Sequence, residues 1–167
     1  MRCHVKLFLP SSQNSIFGTY LVCPRNLLIA VSVRYSLLCV RLAAFESPNF
    51  ETIWLLYRQL RMPSAVSHAV IGAVYHPSSA DDRAMTSYIL HCLDSVTHDH
   101  PYAGVVLLGD FNQLRNAALL FYPLRQVVKT PTRGSSVVDK IYTSLKIWYE
   151  LPAILPNIGC RTTARCL

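Results

Sequence analysis

Acidic side chains are scarce in this chain: nine Asp and Glu stand against sixteen Lys and Arg, and charged residues make up only 15% of the 167. So little charge beside 51% hydrophobic residues argues against intrinsic disorder, which needs low hydrophobicity and high net charge. Cysteine pairs at metal spacing are lacking too. Cys3, Cys23, Cys39, Cys92, Cys160 and Cys166 contain no C-x-x-C and keep no regular spacing with the six histidines. That argues against a zinc site or a disulfide framework and suits a reducing compartment, with Cys39 and Cys92 reading as core thiols. Long apolar runs are missing as well. The segment from Ile16 to Val33 is broken by Pro24-Arg25-Asn26, and Met1 to Pro10 is too short to be a signal peptide. No membrane span and no targeting segment is expected, and the location read from this is intracellular, nuclear or cytoplasmic. Internal repeats and low-complexity tracts are also lacking, so a single core-forming domain is expected at this length.

What is present in excess is positive charge. The formal net charge is +7, and twelve of the sixteen basic residues are Arg, whose planar fork suits phosphate. The charges are scattered and form no run, so the surplus follows largely from the few acids and only weakly favours a polyanionic partner.

Periodicity gives alternating strands and helices. Leu28 to Val33 and Leu37 to Leu42 read as short strands around Arg34-Tyr35-Ser36, followed by a Ser47-Pro48-Asn49 turn and a strand reaching Leu60. In that strand Phe50, Thr52 and Trp54 alternate with Glu51, Ile53 and Leu55, the pattern of an ordinary half-buried strand, so Glu51 is left out of any site. Ala69 to Tyr75 reads as a buried strand. Ser79 is placed as the cap of a helix with Asp81 and Asp82 in its first turn, and Met85, Ile89, Cys92 and Val96 share one face with Tyr88 and Leu93. His91, His98 and His100 near its end read as solvated, with no acid or thiol at ligand spacing. Further on, Gln113 to Phe121 is expected as a short helix, Gln126 to Lys129 and Val137 to Thr143 as strands, and Leu145 to Leu151 as a helical or irregular return.

The most informative stretch is Val105-Val106-Leu107-Leu108-Gly109-Asp110-Phe111-Asn112, an apolar run that ends in an acid and, two residues on, an amide. The run suits a strand buried on both faces, and Gly109 permits a turn where side chains crowd. On a strand-like path Asp110 and Asn112 would point to one side and converge on one small volume. An acceptor that orients water and a neutral donor that holds a phosphoryl group are what phosphodiester hydrolysis needs. Gly-Asp-x-Asn also makes an Asx-turn at the end of a buried strand, and on these four residues both readings stand.

Two further segments flank it in order. Upstream lies Ala73-Val74-Tyr75-His76-Pro77-Ser78-Ser79-Ala80-Asp81-Asp82, and downstream Thr130-Pro131-Thr132-Arg133 followed by Val138-Asp139-Lys140-Ile141-Tyr142-Thr143. With these motifs the chain resembles the endonuclease/exonuclease/phosphatase superfamily, specifically the endonuclease domain of non-LTR retrotransposons, over residues 29 to 159. The inositol-phosphate phosphatases and sphingomyelinases share the same acid and amide logic, and the Pro-Thr-Arg loop and the Tyr-His-Pro-Ser segment favour the retrotransposon type. The resemblance implies an α+β fold, the later part of a DNase I-like four-layer α/β/β/α sandwich. It implies that Asp110 orients or activates the attacking water, Asn112 holds the scissile phosphate, Tyr75 is the phosphate-side tyrosine and Asp139 orients a catalytic histidine. His76 and Arg133 are expected on the substrate, Mg²⁺ as cofactor and DNA as partner. A tyrosine at a strand end also commonly keeps its ring inside and its hydroxyl wet, and an acid in an apolar strand such as Asp139 needs a partner or a raised pKa.

The chain departs from that pattern at both ends. Where such domains carry Ser-Asp-His it reads Pro156-Asn157-Ile158-Gly159-Cys160-Arg161-Thr162-Thr163-Ala164, and no Glu-bearing metal element precedes Leu27. Codons TGT-CGG-ACC-ACA read two bases on give TCG-GAC-CAC, which is Ser-Asp-His, so a frameshift after Gly159 is a specific hypothesis; other codons for Cys160, Arg161 or Thr162 rule it out. The division expected is therefore 1–28 without resemblance, peripheral or a gene-model artefact, 29–159 a partial domain and 160–167 an out-of-frame tail. The function expected is that of an inactive fragment of a metal-dependent DNA endonuclease. The alternative is an active Mg²⁺-dependent phosphodiesterase or phosphatase using Asp110, Asn112 and Asp139. No metal ligand is assigned, and self-association through exposed sheet edges is expected.

Overall fold

The computed structural model describes residues 39–58, 62, 64–115 and 117–145 in full and five further strands by backbone alone. In chain order the strands are β1 (Arg2–Leu7), β2 (Gly18–Val22), β3 (Leu28–Val33), β4 (Cys39–Arg41), β5 (Glu51–Tyr57) and β6 (His68–Tyr75). After helix α1 (Asp82–Asp99) come β7 (Ala103–Asp110), β8 (Arg125–Gln126), β9 (Asp139–Thr143), β10 (Ile154–Leu155) and β11 (Arg165–Cys166). Short 3-10 turns occupy Ala43–Phe45 and Ala117–Phe121.

Six strands form the main sheet in the order β4-β5-β6-β7-β9-β8. In this sheet only β6 and β7 run parallel, the helix between them supplying the crossover that a parallel pair needs, while β5 and β9 flank them antiparallel. Both faces of the inner strands are buried, which is why β6 and β7 read as nearly continuous apolar runs. On one face Trp54, Val70, Val74 and Leu107 pack under Met85, Ile89, Cys92, Leu93 and Val96 of α1. On the other, Ile53, Leu55, Ile71, Ala73, Val106 and Leu108 form a second buried cluster. Against that face lies the second sheet, order β1-β3-β2, with β1 touching β7 and β3 touching β6. The layers are therefore helix, sheet, sheet: an α+β arrangement with the outer helix layer of a four-layer sandwich not represented among the described residues. None of the described helices is long and apolar enough to cross a membrane.

Several sequence expectations shift. The two short strands read at 28–33 and 37–42 fall in different sheets; of the second, 37 and 38 lie outside the described residues and the strand covers Cys39–Arg41, stopping before Leu42. The helix is capped by Asp81 rather than Ser79, because Pro77 and Ala80 close a turn first; the Asp81 side chain then accepts from the Arg83 and Ala84 N–H groups. The expected helix at 113–121 is a loop followed by a five-residue 3-10 turn, and the strand expected at 126–129 pairs only at Arg125–Gln126. The return expected at 145–151 lies outside the described residues apart from Leu145, as do the side chains of the 1–28 and 160–167 segments. His91 and His98 are exposed, as expected, but His100 turns inward and hydrogen-bonds His68, Nδ1 to Nε2 at 3.2 Å.

Candidate active site

Register places the site. Glu51 pairs with Tyr75, Tyr75 with Asp110, and Asp110 with Asp139, so four polar residues form one row across β5, β6, β7 and β9. Alternation along each strand sends all four to the face toward the second sheet, the side of Ile53, Ala73, Leu108 and Ile141. The row closes the apolar ribbon at its carboxyl mouth, where β6 and β7 both end.

Gly109 makes the mouth narrow. Its φ is +142°, and a Cβ there would sit 1.8 Å from the Val74 carbonyl oxygen, so no other residue fits between β6 and β7. Phe111 follows with its ring fully buried edge-on to Tyr142. That anchor turns Asn112 into a left-handed conformation, φ +44°. Asp110 and Asn112 thus meet through a turn and not through strand alternation as the sequence suggested, since the extended path stops at Asp110. The Asn112 N–H donates to Asp110 Oδ1 at 3.1 Å, which is the Asx-turn, while Oδ2 stays available and takes Arg133 Nη2 at 3.1 Å. The Asx-turn and the Arg133 ion pair thus use different oxygens of one carboxylate.

Arg133 reaches the site from a tight hairpin. The Arg133 and Ser136 backbones bond each other reciprocally, and Gly134 supplies the left-handed residue at φ +58°. Buried Thr132 fixes the base of this hairpin, its Oγ1 accepting from the Val138 and Asp139 N–H groups at 3.1 and 3.0 Å. The guanidinium spans both partners of the turn, with Nη1 3.5 Å from Asn112 Oδ1. Asp139 stands beside this pair. Burial and then the neighbouring Asp110 charge push its carboxyl above the usual range, against smaller opposing effects of Thr132 and Arg133. Burial likewise raises Glu51.

Among the described residues Glu51 Oε2, His76 Nδ1, Arg133 Nε and Asp139 Oδ2 are buried without a hydrogen-bond partner, and all four belong to this end of the sheet. Interiors leave few polar groups unpaired, so their concentration here marks the place where the fold is locally unsatisfied. Tyr75, Asp110, Asn112, Asp139 and Arg133 come together as the sequence suggested. His76 does not join them by its side chain. Its ring is fully buried on the opposite face, Nε2 2.7 Å from Asp82 Oδ1 at the start of α1, and what it offers the site is a carbonyl that accepts from Asn112 Nδ2 at 2.6 Å. Glu51 and Thr132 were not assigned from sequence. A carboxylate alternating with Ile53 and Leu55 was the available sign for Glu51, since it had to share their buried face.

No group of three His, Cys, Asp or Glu converges at metal spacing among the described residues. Glu51 and Asp139 are three strands apart, about 14 Å, and cannot share one ion. Asp110 and Asp139 are cross-strand neighbours, the Asp110 charge helping to raise Asp139, and Asp110 Oδ2 is paired with Arg133.

No family model matches the chain, and no curated protein matches it. Among solved structures it is similar to the endonuclease domain of TRAS1, a telomere-specific non-LTR retrotransposon, with a TM-score of 0.65 and 11% identity over 89% of this chain and 76% of that one. At that identity the likeness is one of fold: the chain has the DNase I-like architecture, in partial form.

Proposed function

We propose that this domain grips a DNA phosphodiester between Arg133, Asn112 and Tyr75, and that its chemistry, of the metal-dependent endonuclease kind, is disabled because Asp139 has no histidine to orient. The observation that carries the reading is a convergence: Arg133, its side chain 33% exposed, closes on Asp110 Oδ2 and Asn112 Oδ1 at the mouth of the sheet, where the open part of its guanidinium can meet a phosphate oxygen. Asp139 Oδ2 is a buried acceptor without a donor, and no imidazole among the described residues is supplied to it. Asn112 uses one amide hydrogen on the His76 carbonyl and keeps the other for substrate. Mg²⁺ would be held by Asp110 together with water and phosphate oxygens, where it would neutralise charge on the phosphoryl group. Likeness of fold to the TRAS1 endonuclease domain supports a nucleic-acid substrate, which this reading takes to be DNA.

Two measurements on the whole chain test this. In fluorescence anisotropy with a short DNA duplex, Arg133→Ala should weaken binding about tenfold and lower the salt slope by about one. In a supercoiled-plasmid assay with Mg²⁺, the chain and its Asp110→Ala variant should nick equally little, since loss of one member of a cooperative set costs orders of magnitude. Binding indifferent to Arg133 overturns the site. Nicking abolished by Asp110→Ala overturns the disabled state and leaves an active phosphodiesterase.

A further inference from the structure

We propose that His76 is a positioning residue for the Asn112 carboxamide, held in place by Asp82; the assignment rests on the phosphate-binding reading of Asn112 given above. The chain of contacts begins with strand alternation. Tyr75 ends β6 facing the second sheet, so the next side chain turns to the helix face, and the His76 ring enters the gap under the first turn of α1 with no surface exposed. It therefore cannot touch a ligand. Leucine would fill such a gap, yet the ring spends its Nε2 on Asp82 Oδ1 at 2.7 Å and leaves Nδ1 bare. The bond to Asp82 is thus the ring's one polar anchor beside the packing around it.

Fixing the ring fixes its backbone, and both backbone groups serve the site. The His76 N–H donates to the Asp110 carbonyl at 2.8 Å, and the His76 carbonyl accepts from Asn112 Nδ2 at 2.6 Å. Asn tolerates the left-handed conformation Asn112 adopts, and the bond to the His76 carbonyl then sets the direction of its carboxamide. Asp82 is also reached from the other side: Gln113 Nε2 lies 3.4 Å from its Oδ1 and 2.9 Å from the Ser78 carbonyl. One carboxylate in the first turn of α1, where the helix dipole favours it, thus secures both loops that frame the phosphate position.

The test reads the amide directly. In ¹⁵N-labelled protein, His76→Leu and Asp82→Ala should each shift the Asn112 side-chain amide resonances, assigned with Asn112→Ser, and weaken duplex binding about five- to tenfold, the worth of one hydrogen bond. His76→Gln, whose amide can still donate to Asp82, should restore both. Asn112 resonances unmoved in the two loss variants, or His76→Gln no better than His76→Leu, overturns the proposal. Should His76→Leu fail to fold, Asp82→Ala decides alone, since Asp82 is 43% exposed. If Arg133→Ala leaves binding unchanged, the phosphate site fails, and the Asn112 resonances still judge His76.

Discussion

Asp139 carries two costs at once, burial and the charge of Asp110, and both act only on its ionised form. Its folded pKa lies above the ordinary value near 3.8, so the folded chain binds that proton more tightly than the unfolded chain does. Stability from this group is therefore full below the unfolded pKa and falls as pH rises through the folded one, a loss that persists at neutral pH. Asp139→Asn should raise the melting midpoint at pH 7 by a few degrees, and the gain should vanish below the unfolded pKa; thermal melts at both pH values check it. That Asp110, Asn112, Arg133 and Asp139 would gather at one place was legible, because they stand in short motifs. Glu51 was not, since only cross-strand pairing with Tyr75 brings it into the row.

At the scale of elements the decisive feature is the passage between β6 and β7. Gly109 has a backbone angle and a 1.8 Å approach to the Val74 carbonyl that exclude a side chain, so Gly109→Ala should cost about 3 kcal/mol or more in urea unfolding. A loss under 1 kcal/mol would mean that the two strand ends are not packed as described. Helix α1 was readable from its apolar stripe, and the buried set Met85, Ile89, Cys92, Leu93 and Val96 follows it. Its cap was misplaced by two residues because three closely spaced candidates, Ser79, Asp81 and Asp82, differ only in which one the preceding turn leaves at the entrance. The 3-10 turn at Ala117–Phe121 carries one buried residue, Leu119, too little apolar face to sustain a longer helix.

Over the whole molecule, the main sheet ends in short strands, three residues at β4 and two at β8, which offer limited edges for pairing. Exposed apolar side chains gather elsewhere: Phe121 is 92% exposed with Leu120 beside it at 59%. We expect the chain to self-associate through this corner. Leu120→Ser with Phe121→Ser should shift size-exclusion profiles toward monomer without changing the melting midpoint, because neither side chain is buried. A monomer peak from the unaltered chain would contradict the expectation.

Sequence by itself determined which segments are buried strands, which face of α1 is apolar and which residue types stand at strand ends, since these follow from periods of 2.0 and 3.6 and from local turn chemistry. Only the tertiary structure decided that Glu51 joins the row, that His76 faces away from it and that Arg133 closes on Asp110. Those facts depend on register between strands distant in sequence and on how a hairpin folds back, and neither is encoded in any single stretch of the chain.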